Sequence, residues 1–317
     1  VTVFAFMGTP EFSTIILDHL EAAGFLPALL VTQPDRPYGR GRRMTPSPVA
    51  LWAQERGLEV VKPQDRKDPI LESALSALSP LFVITAAFGL ILPANLLDLP
   101  ARGSLNLHAS LLPRYRGASP IQAALLSGDK ETGVTLMRMD EGMDTGPILA
   151  RSAMAIPDDM DAGQLNLELA HLAGRLMVDH FQAFVDGQLK EEIQDERLAS
   201  ITRLLRKADG EVDFSLEAQD VHNHIRAMNP WPGAFAFLQG KRYKLNRARL
   251  FEGQLPGQAG QLHILGRRMI VSCGQGALEL LEIQPQSGSA MACQVCAHNF
   301  ESGSVFDPCS RPGHDLV

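Results

Sequence analysis

At 317 residues the chain is long enough for about two domains of ordinary size. A hydrophobic share of 45% with 21% charged residues supports packed cores and argues against a disordered chain. The net charge of −7 argues against a general nucleic-acid binder, and no apolar run of about 18 residues exists to span a membrane.

The apolar stretch 1–7 has no basic lead and runs straight into Gly8, Thr9 and Pro10. It therefore reads as a first strand rather than a signal peptide. Thr9, Pro10 and Glu11 make a helix start: a hydroxyl cap, a proline at the first position and an acid in the first turn. Apolar spacing predicts helices over 10–23, 48–56 and 69–78, and strands over 28–32, 58–61, 81–86 and 104–107. Strand–helix–strand alternation implies an α/β fold, a doubly wound, mostly parallel, Rossmann-like sheet whose ligand crevice lies at the carboxyl ends of its strands. The lone Gly8 after the first strand is no dinucleotide fingerprint.

A long helix is predicted over 162–186, followed by a charged connector. From Asp209 the texture changes to short strands at 212–214, 234–238, 242–250, 261–265, 269–273 and 278–283, separated by glycine-bearing turns. That pattern suggests a small β-barrel, OB-like in type. The expected division is a catalytic domain 1–189, a linker 190–208 and a barrel domain 209–317. Residues 1–200 hold 17 Lys and Arg against 25 Asp and Glu, while the remainder hold 12 against 11. The acidic surplus thus belongs to the first two-thirds, and the rest is nearly neutral with local basic clusters. Four cysteines make no disulfide framework in a chain of this size, so a soluble protein of the reducing cytoplasm is expected.

The densest chemistry lies in Asn106, His108, Ser110, Leu111, Leu112 and Pro113. On a strand, Asn106 and His108 alternate onto one face and point together into the crevice. An amide beside an imidazole suits a carbonyl under attack: the amide and a ring N–H hold a developing oxyanion, and the imidazole moves protons. Asp144 sits in a polar, glycine-flanked loop between strand-like stretches 134–139 and 148–153. A carboxylate there can orient an imidazole or serve as an ordinary turn former, and spacing alone does not bring it beside His108.

Asn106-x-His108-x-Ser110-Leu-Leu-Pro113, with Asp144-Thr-Gly downstream, resembles the signature of the 10-formyltetrahydrofolate-dependent formyltransferases. Further matches are Gly8-Thr-Pro-Glu-Phe12, Thr32-Gln-Pro-Asp-Arg-Pro37, Phe88-Gly-Leu-Ile-Leu-Pro93, Asn229-Pro-Trp-Pro232 and Gly288-Ser-Ala-Met291, so the likeness covers nearly the whole chain. The resemblance implies Asn106, His108 and Asp144 as the catalytic trio and 10-formyltetrahydrofolate as co-substrate. It also implies Ser110, Leu111, Leu112 and Pro113 with Phe88, Gly89, Leu90 and Leu92 at the tetrahydrofolate site. The loop 32–48 and the second domain resemble the branch that acts on initiator methionyl-tRNA, which makes that charged tRNA the expected acceptor. Relatives acting on a sugar-nucleotide amine or a purine precursor, a hydrolase that releases formate from the folate with the same trio, and a non-catalytic RNA-binding protein are the competing readings.

Two basic clusters suit a phosphate backbone. Arg36, Arg40, Arg42 and Arg43 stand in a loop of about fifteen residues without predicted structure, a length uncommon unless functional. Lys241, Arg242 and Lys244 open a predicted strand whose alternation is not a clean one-sided stripe, so a bulge is anticipated. Trp231, between two prolines, is expected to pack rather than stack on a base. Cys293, Cys296, Cys309 and His314 have spacings a zinc site uses, but residues 292–299 read as helical, and no metal is expected. A monomer with no membrane partner completes the expectation.

Overall fold

Short apolar runs such as Phe4–Gly8, Leu29–Val31 and Phe82–Ala86 form the buried strands of a seven-stranded sheet. The computed structural model describes residues 2–38, 41, 43–253 and 255–310, in two compact units. The first comprises Val1–Gly117, Thr132–Met154 and Asn166–Ile201, and the second Ala118–Glu131, Ala155–Leu165 and Thr202–Val317.

Across the first unit's sheet the strands run Ile148–Ala155, Glu131–Arg138, Ser104–His108, Phe82–Ala86, Phe4–Gly8, Leu29–Val31 and Val60–Val61. Phe4–Gly8 pairs in parallel with Leu29–Val31 and with Phe82–Ala86, which pairs in parallel with Ser104–His108. The chain builds outward from Phe4–Gly8 on one side, then returns to its other side with Phe82–Ala86. That reversal opens a crevice at the carboxyl ends of these two strands. Glu131–Arg138 is antiparallel to Ser104–His108, with Asn106 opposite Met137 and His108 opposite Thr135. The sheet is doubly wound and mostly parallel, as its alternating pattern implies.

The helices follow from their caps. Pro48–Arg56 starts where Ser47 Oγ accepts from the Ala50 N–H and stops at Gly57, whose φ of 65° suits a residue without Cβ. Pro69–Leu78 starts on Asp68, which accepts from the Ile70 N–H. Glu11–Ala22 departs from expectation: Pro10 holds the cap position and no side chain caps it. The Thr9 hydroxyl instead donates to Phe88 O across the crevice at 3.2 Å. Behind the sheet, Phe82 stacks on Phe4 at 5.4 Å and meets Phe181 and Phe184 of the helix Ala162–Val185 edge-on. Burying each such ring stabilises the fold by about 1.5–3 kcal/mol.

In the second unit an antiparallel sheet runs Phe235–Leu238, Lys241–Leu250, Ala277–Pro285, Arg268–Ser272 and Leu262–Leu265, with Met291–Ala292 on Ala277–Pro285. Residues 303–307 hydrogen-bond to Phe237 on one edge strand and to Gly260 and Leu262 at the other. The sheet therefore curls, as expected of a small barrel. Residues 212–214 are not a strand: Asp213 turns the chain by accepting from the Ser215 N–H and hydroxyl. The helices Pro120–Leu126 and Ala218–Met228 add to the expected elements. The latter sets Ala218, Val221, Ile225 and Met228 at helical spacing and also buries His222, Asn223, His224 and Arg226.

Candidate active site

Strand alternation delivers the Asn106 and His108 side chains to one place at the end of Ser104–His108, and Asp144 meets both. Asn106 Nδ2 donates to Asp144 Oδ1 at 3.2 Å, and His108 Nδ1 lies 3.5 Å from Asp144 Oδ2. The Gly117 N–H donates to that same Oδ2 at 2.8 Å. His108 is 6% exposed, and its Nε2 lies 2.9 Å from Tyr115 O. A carbonyl only accepts, so Nε2 carries a proton there, and Nδ1 is the ring nitrogen that faces Asp144. A gap of 3.5 Å is longer than a normal hydrogen bond but close enough for the carboxylate to stabilise a charge on the ring. Neither ring nitrogen offers its own N–H to an oxyanion in this arrangement, so the Asn106 amide is the better donor for that task. That shifts His108 towards proton handling.

Asp144 adopts φ 55°, a left-handed backbone that aspartate tolerates better than most residues at a cost of about 1–3 kcal/mol. Gln194, 5% exposed, holds it there: its Nε2 donates to Asp144 O and to Gly146 O, each at 2.8 Å. Gly146 is required because a Cβ would lie 2.0 Å from Arg138 O. Gln194 gives no signal in the sequence, being one amide within an acidic connector.

The folate-site candidates divide. Phe88 and Leu92 are buried in the core with Leu71 and Leu75, so their side chains are spent on packing. Phe88 O accepts from Thr9 and from Gln33 Nε2, which fixes the loop. Gly89 takes φ 80°, Leu90 is partly exposed and Ile91 is 63% exposed. Among the described residues no hydrogen bond reaches the N–H groups of Gly89, Leu90 or Ile91. An apolar edge with open backbone donors beside the trio fits a flat heterocycle. Ser110 is fully buried and donates to Arg114 O, and Leu112 packs with Met137 and Ile148, so both shape the turn. Leu111 and Pro113 stay partly exposed. A separate cavity of about 790 Å³, lined by Arg102, Arg138 and Phe184, opens at the start of Ser104–His108, away from His108.

The arginine loop is not without structure: Arg36–Tyr38 pairs antiparallel with Arg43–Thr45. Alternating chain on either side of the glycine-rich tip lets the two arms ladder. Arg36 and Arg43 are exposed, while Arg40 and Arg42 lie outside the described residues. On Lys241–Leu250 the anticipated bulge falls between Leu245 and Ala248. Lys241 is exposed, Lys244 is partly exposed, and the Arg242 guanidinium sits 3.8 Å over the Phe235 ring. Trp231, expected to pack, is 51% exposed. Its prolines hold a corner anchored by Asn229, which donates to the carbonyls of Ile225, Leu245 and Asn246, so that side chain rather than the indole fills the interior.

Cys293 and Cys296 are buried, and burial pushes the Cys293 thiol up to about 12. Among the described residues no three His, Cys, Asp or Glu side chains gather as a metal site, and His314 lies outside them. No helix among those residues is long and apolar enough to cross a membrane.

Comparison with known proteins agrees with this geometry. The family model described as "Formyl transferase" matches residues 1–181, and "Formyl transferase, C-terminal domain" matches 204–300. A methionyl-tRNA formyltransferase of Geobacter metallireducens is 38% identical, covering 98% of each chain. That of Heliobacterium modesticaldum is 42% identical over 95% of this chain and 98% of its own. Among solved structures, WlaRD, a sugar 3N-formyl transferase in the presence of dTDP and 5-N-formyl-THF, aligns with a TM-score of 0.65 at 17% identity, covering 91% of this chain and 99% of that one. HypX from Aquifex aeolicus in complex with tetrahydrofolic acid aligns at 0.62 and 15% identity over 96% of this chain, which spans about half of HypX (50%). These two likenesses are of fold.

Proposed function

The chain belongs to the formyl transferase family, and we propose that it formylates the α-amino group of the methionyl moiety of initiator methionyl-tRNA. The formyl donor would be 10-formyltetrahydrofolate, and the product N-formylmethionyl-tRNA for translation initiation. The observation that carries this is the convergence of Asn106 and His108 on Asp144 at a strand-end crevice, in a chain similar along both units to relatives of that name. The folate supplies an activated formyl group; this chain's residues do the rest.

An α-amine has a pKa of roughly 7.7–8, so a useful neutral fraction exists at cellular pH and no strong base is required. Asn106 holds the carbonyl oxygen as negative charge builds on it. His108 Nδ1 takes up the proton that the amine sheds, and Asp144 Oδ2 stabilises the ring once it is charged. The same proton is then available to the departing nitrogen. The open N–H groups at 89–91, with Leu111 and Pro113 alongside, would hold the heterocycle. Arg36, Arg40, Arg42 and Arg43, with Lys241, Arg242 and Lys244, would meet tRNA phosphates.

A catalytic domain over 1–189, a connector over 190–208 and a barrel domain over 209–317 belong to this reading; the matched spans 1–181 and 204–300 favour two parts, while the compact units group 118–131 and 155–165 with the second. A monomer working in the cytoplasm belongs to the same reading, and light scattering tests the monomer. The decisive assay supplies 10-formyltetrahydrofolate with methionyl-tRNA, with free methionine, and with no acceptor. Formylation of the charged tRNA alone is expected; formate release without acceptor would instead identify a hydrolase.

A further inference from the structure

We infer that Gln194 and Arg116 are positioning residues for the proposed formyl transfer, acting on Asp144 from behind. The inference rests on that reading of the site.

Gln194 is a buried amide with every hydrogen-bonding position filled. Its Nε2 donates to Asp144 O and Gly146 O, and its Oε1 accepts from Arg116 Nε at 3.0 Å and Nη2 at 2.9 Å. Carbonyls only accept and a guanidinium only donates, so the amide has one workable orientation. Arg116, 3% exposed, is gripped by Glu196, which accepts from its Nη1 at 2.9 Å and Nη2 at 2.7 Å.

Arg116 lies in the middle of three consecutive residues that each fix one element of the site. Tyr115 O holds His108 Nε2, the Arg116 side chain holds Gln194, and the Gly117 N–H holds Asp144 Oδ2. The result is a closed ring, from Asp144 carboxylate through Gly117 and Arg116 to Gln194 and back to the Asp144 carbonyl. A second strap secures it: the Tyr115 N–H donates to Ser200 Oγ and the Arg116 N–H to Ser200 O. Asp144 sits at positive φ, so its backbone has a competing, more common conformation to relax into. Releasing Asp144 O and Gly146 O would permit that relaxation and turn the carboxylate away from His108 and Asn106. The buttress acts on the direction of one carboxylate, not on either substrate's binding surface.

The test is steady-state formylation by Gln194→Leu and Gln194→Glu, with Ile193→Ala (88% exposed) as the neighbouring control. Gln194→Glu keeps acceptors for Arg116 while removing both donors to the loop carbonyls. Both Gln194 variants should lose roughly 10- to 100-fold in kcat, the loss typical of a mispositioned catalytic group, with KM for folate and tRNA within about twofold. Amide hydrogen exchange at 143–146 should accelerate by about tenfold or more with no change in the sheet. Wild-type kcat in a folded Gln194→Glu protein, or unchanged exchange in the loop, overturns the inference. So does a parallel loss of kcat, both KM values and thermal stability, the signature of a general structural role. If Gln194→Leu does not fold, Gln194→Glu decides alone. A wild-type protein unable to formylate methionyl-tRNA would sink the proposed function instead, and the exchange data would still judge the buttress.

Discussion

In the cleft of the first unit, Asp144 accepts from Asn106 and Gly117, His108 is pinned by Tyr115, and Gln194 has no unfilled position. Along Lys241–Leu250 of the second unit, Lys241 and Arg247 stand exposed and Arg242 lies against an aromatic ring. On the proposed function the contrast reflects two kinds of work. Groups that stabilise a passing charge act best when already aimed, because reorienting them during reaction costs energy. Groups that meet a polyanion need charge near a surface, and long flexible side chains adapt to phosphates they find.

The contrast is broken most directly at the trio. Asn106→Ala, His108→Ala and Asp144→Ala should each lower kcat by about 100- to 1000-fold, or ~3–4 kcal/mol, with circular dichroism unchanged. A rate near wild type in any of them removes that residue from the mechanism. Gly89→Ala is next: a Cβ at φ 80° would meet Gln33 Nε2 at 2.5 Å and disturb the amide that ties down Phe88 O. The strain, about 1–2 kcal/mol, should raise KM for the folate by roughly tenfold and leave KM for tRNA alone. Equal shifts in both would show that the loop serves more than the heterocycle.

Smaller effects belong to the surface charges. Alanine at Lys241 or Lys244 should raise KM for charged tRNA a few-fold and reduce the salt dependence by about one counterion each. An unchanged salt slope would remove the strand from the interface. The smallest effect concerns stability of the second unit. Glu279 is buried and its carboxyl is held below the ordinary 4.5 by hydrogen bonds from Arg268 and then Arg249. Burial, then the Arg226 charge, holds His222 below its ordinary 6.5. Both depressed groups contribute stability above their ordinary values that is lost on acidification, first below 6.5 through His222 and then below 4.5 through Glu279. Glu279→Gln should abolish the lower step at a cost near 1 kcal/mol at neutral pH, since both guanidinium groups are about half exposed. Urea titrations at several pH values measure it.

The period-two pattern around Asn106 and His108 is legible in the sequence because a strand's geometry is local. The carboxylate that joins them comes from 38 residues away, and only the family signature points to it. Thr9 reads as a helix cap because its neighbours are those of a cap; its hydroxyl goes to Phe88, 79 residues on, a partner no local rule supplies. Ala218–Met228 is legible in the helical spacing of Ala218, Val221, Ile225 and Met228, whereas the burial of its polar residues makes sense only once they are paired, as Arg226 is with Asn223. Polar side chains reveal their purpose only with their partners, and the partners are set by topology.

The strap around Gln194 carries a consequence for the order in which the site comes into being. Asn106, His108 and Asp144 leave the ribosome well before Gln194, which follows Asp144 by 50 residues. At about 5–20 residues per second that interval is roughly 3–10 s. During it the nascent chain holds all three reactive side chains but lacks the amide that fixes the last of them. On the proposed reading the catalytic centre is thus finished by residues with no chemistry of their own, and a nascent chain ending before 194 would be complete in its reactive groups yet unaimed.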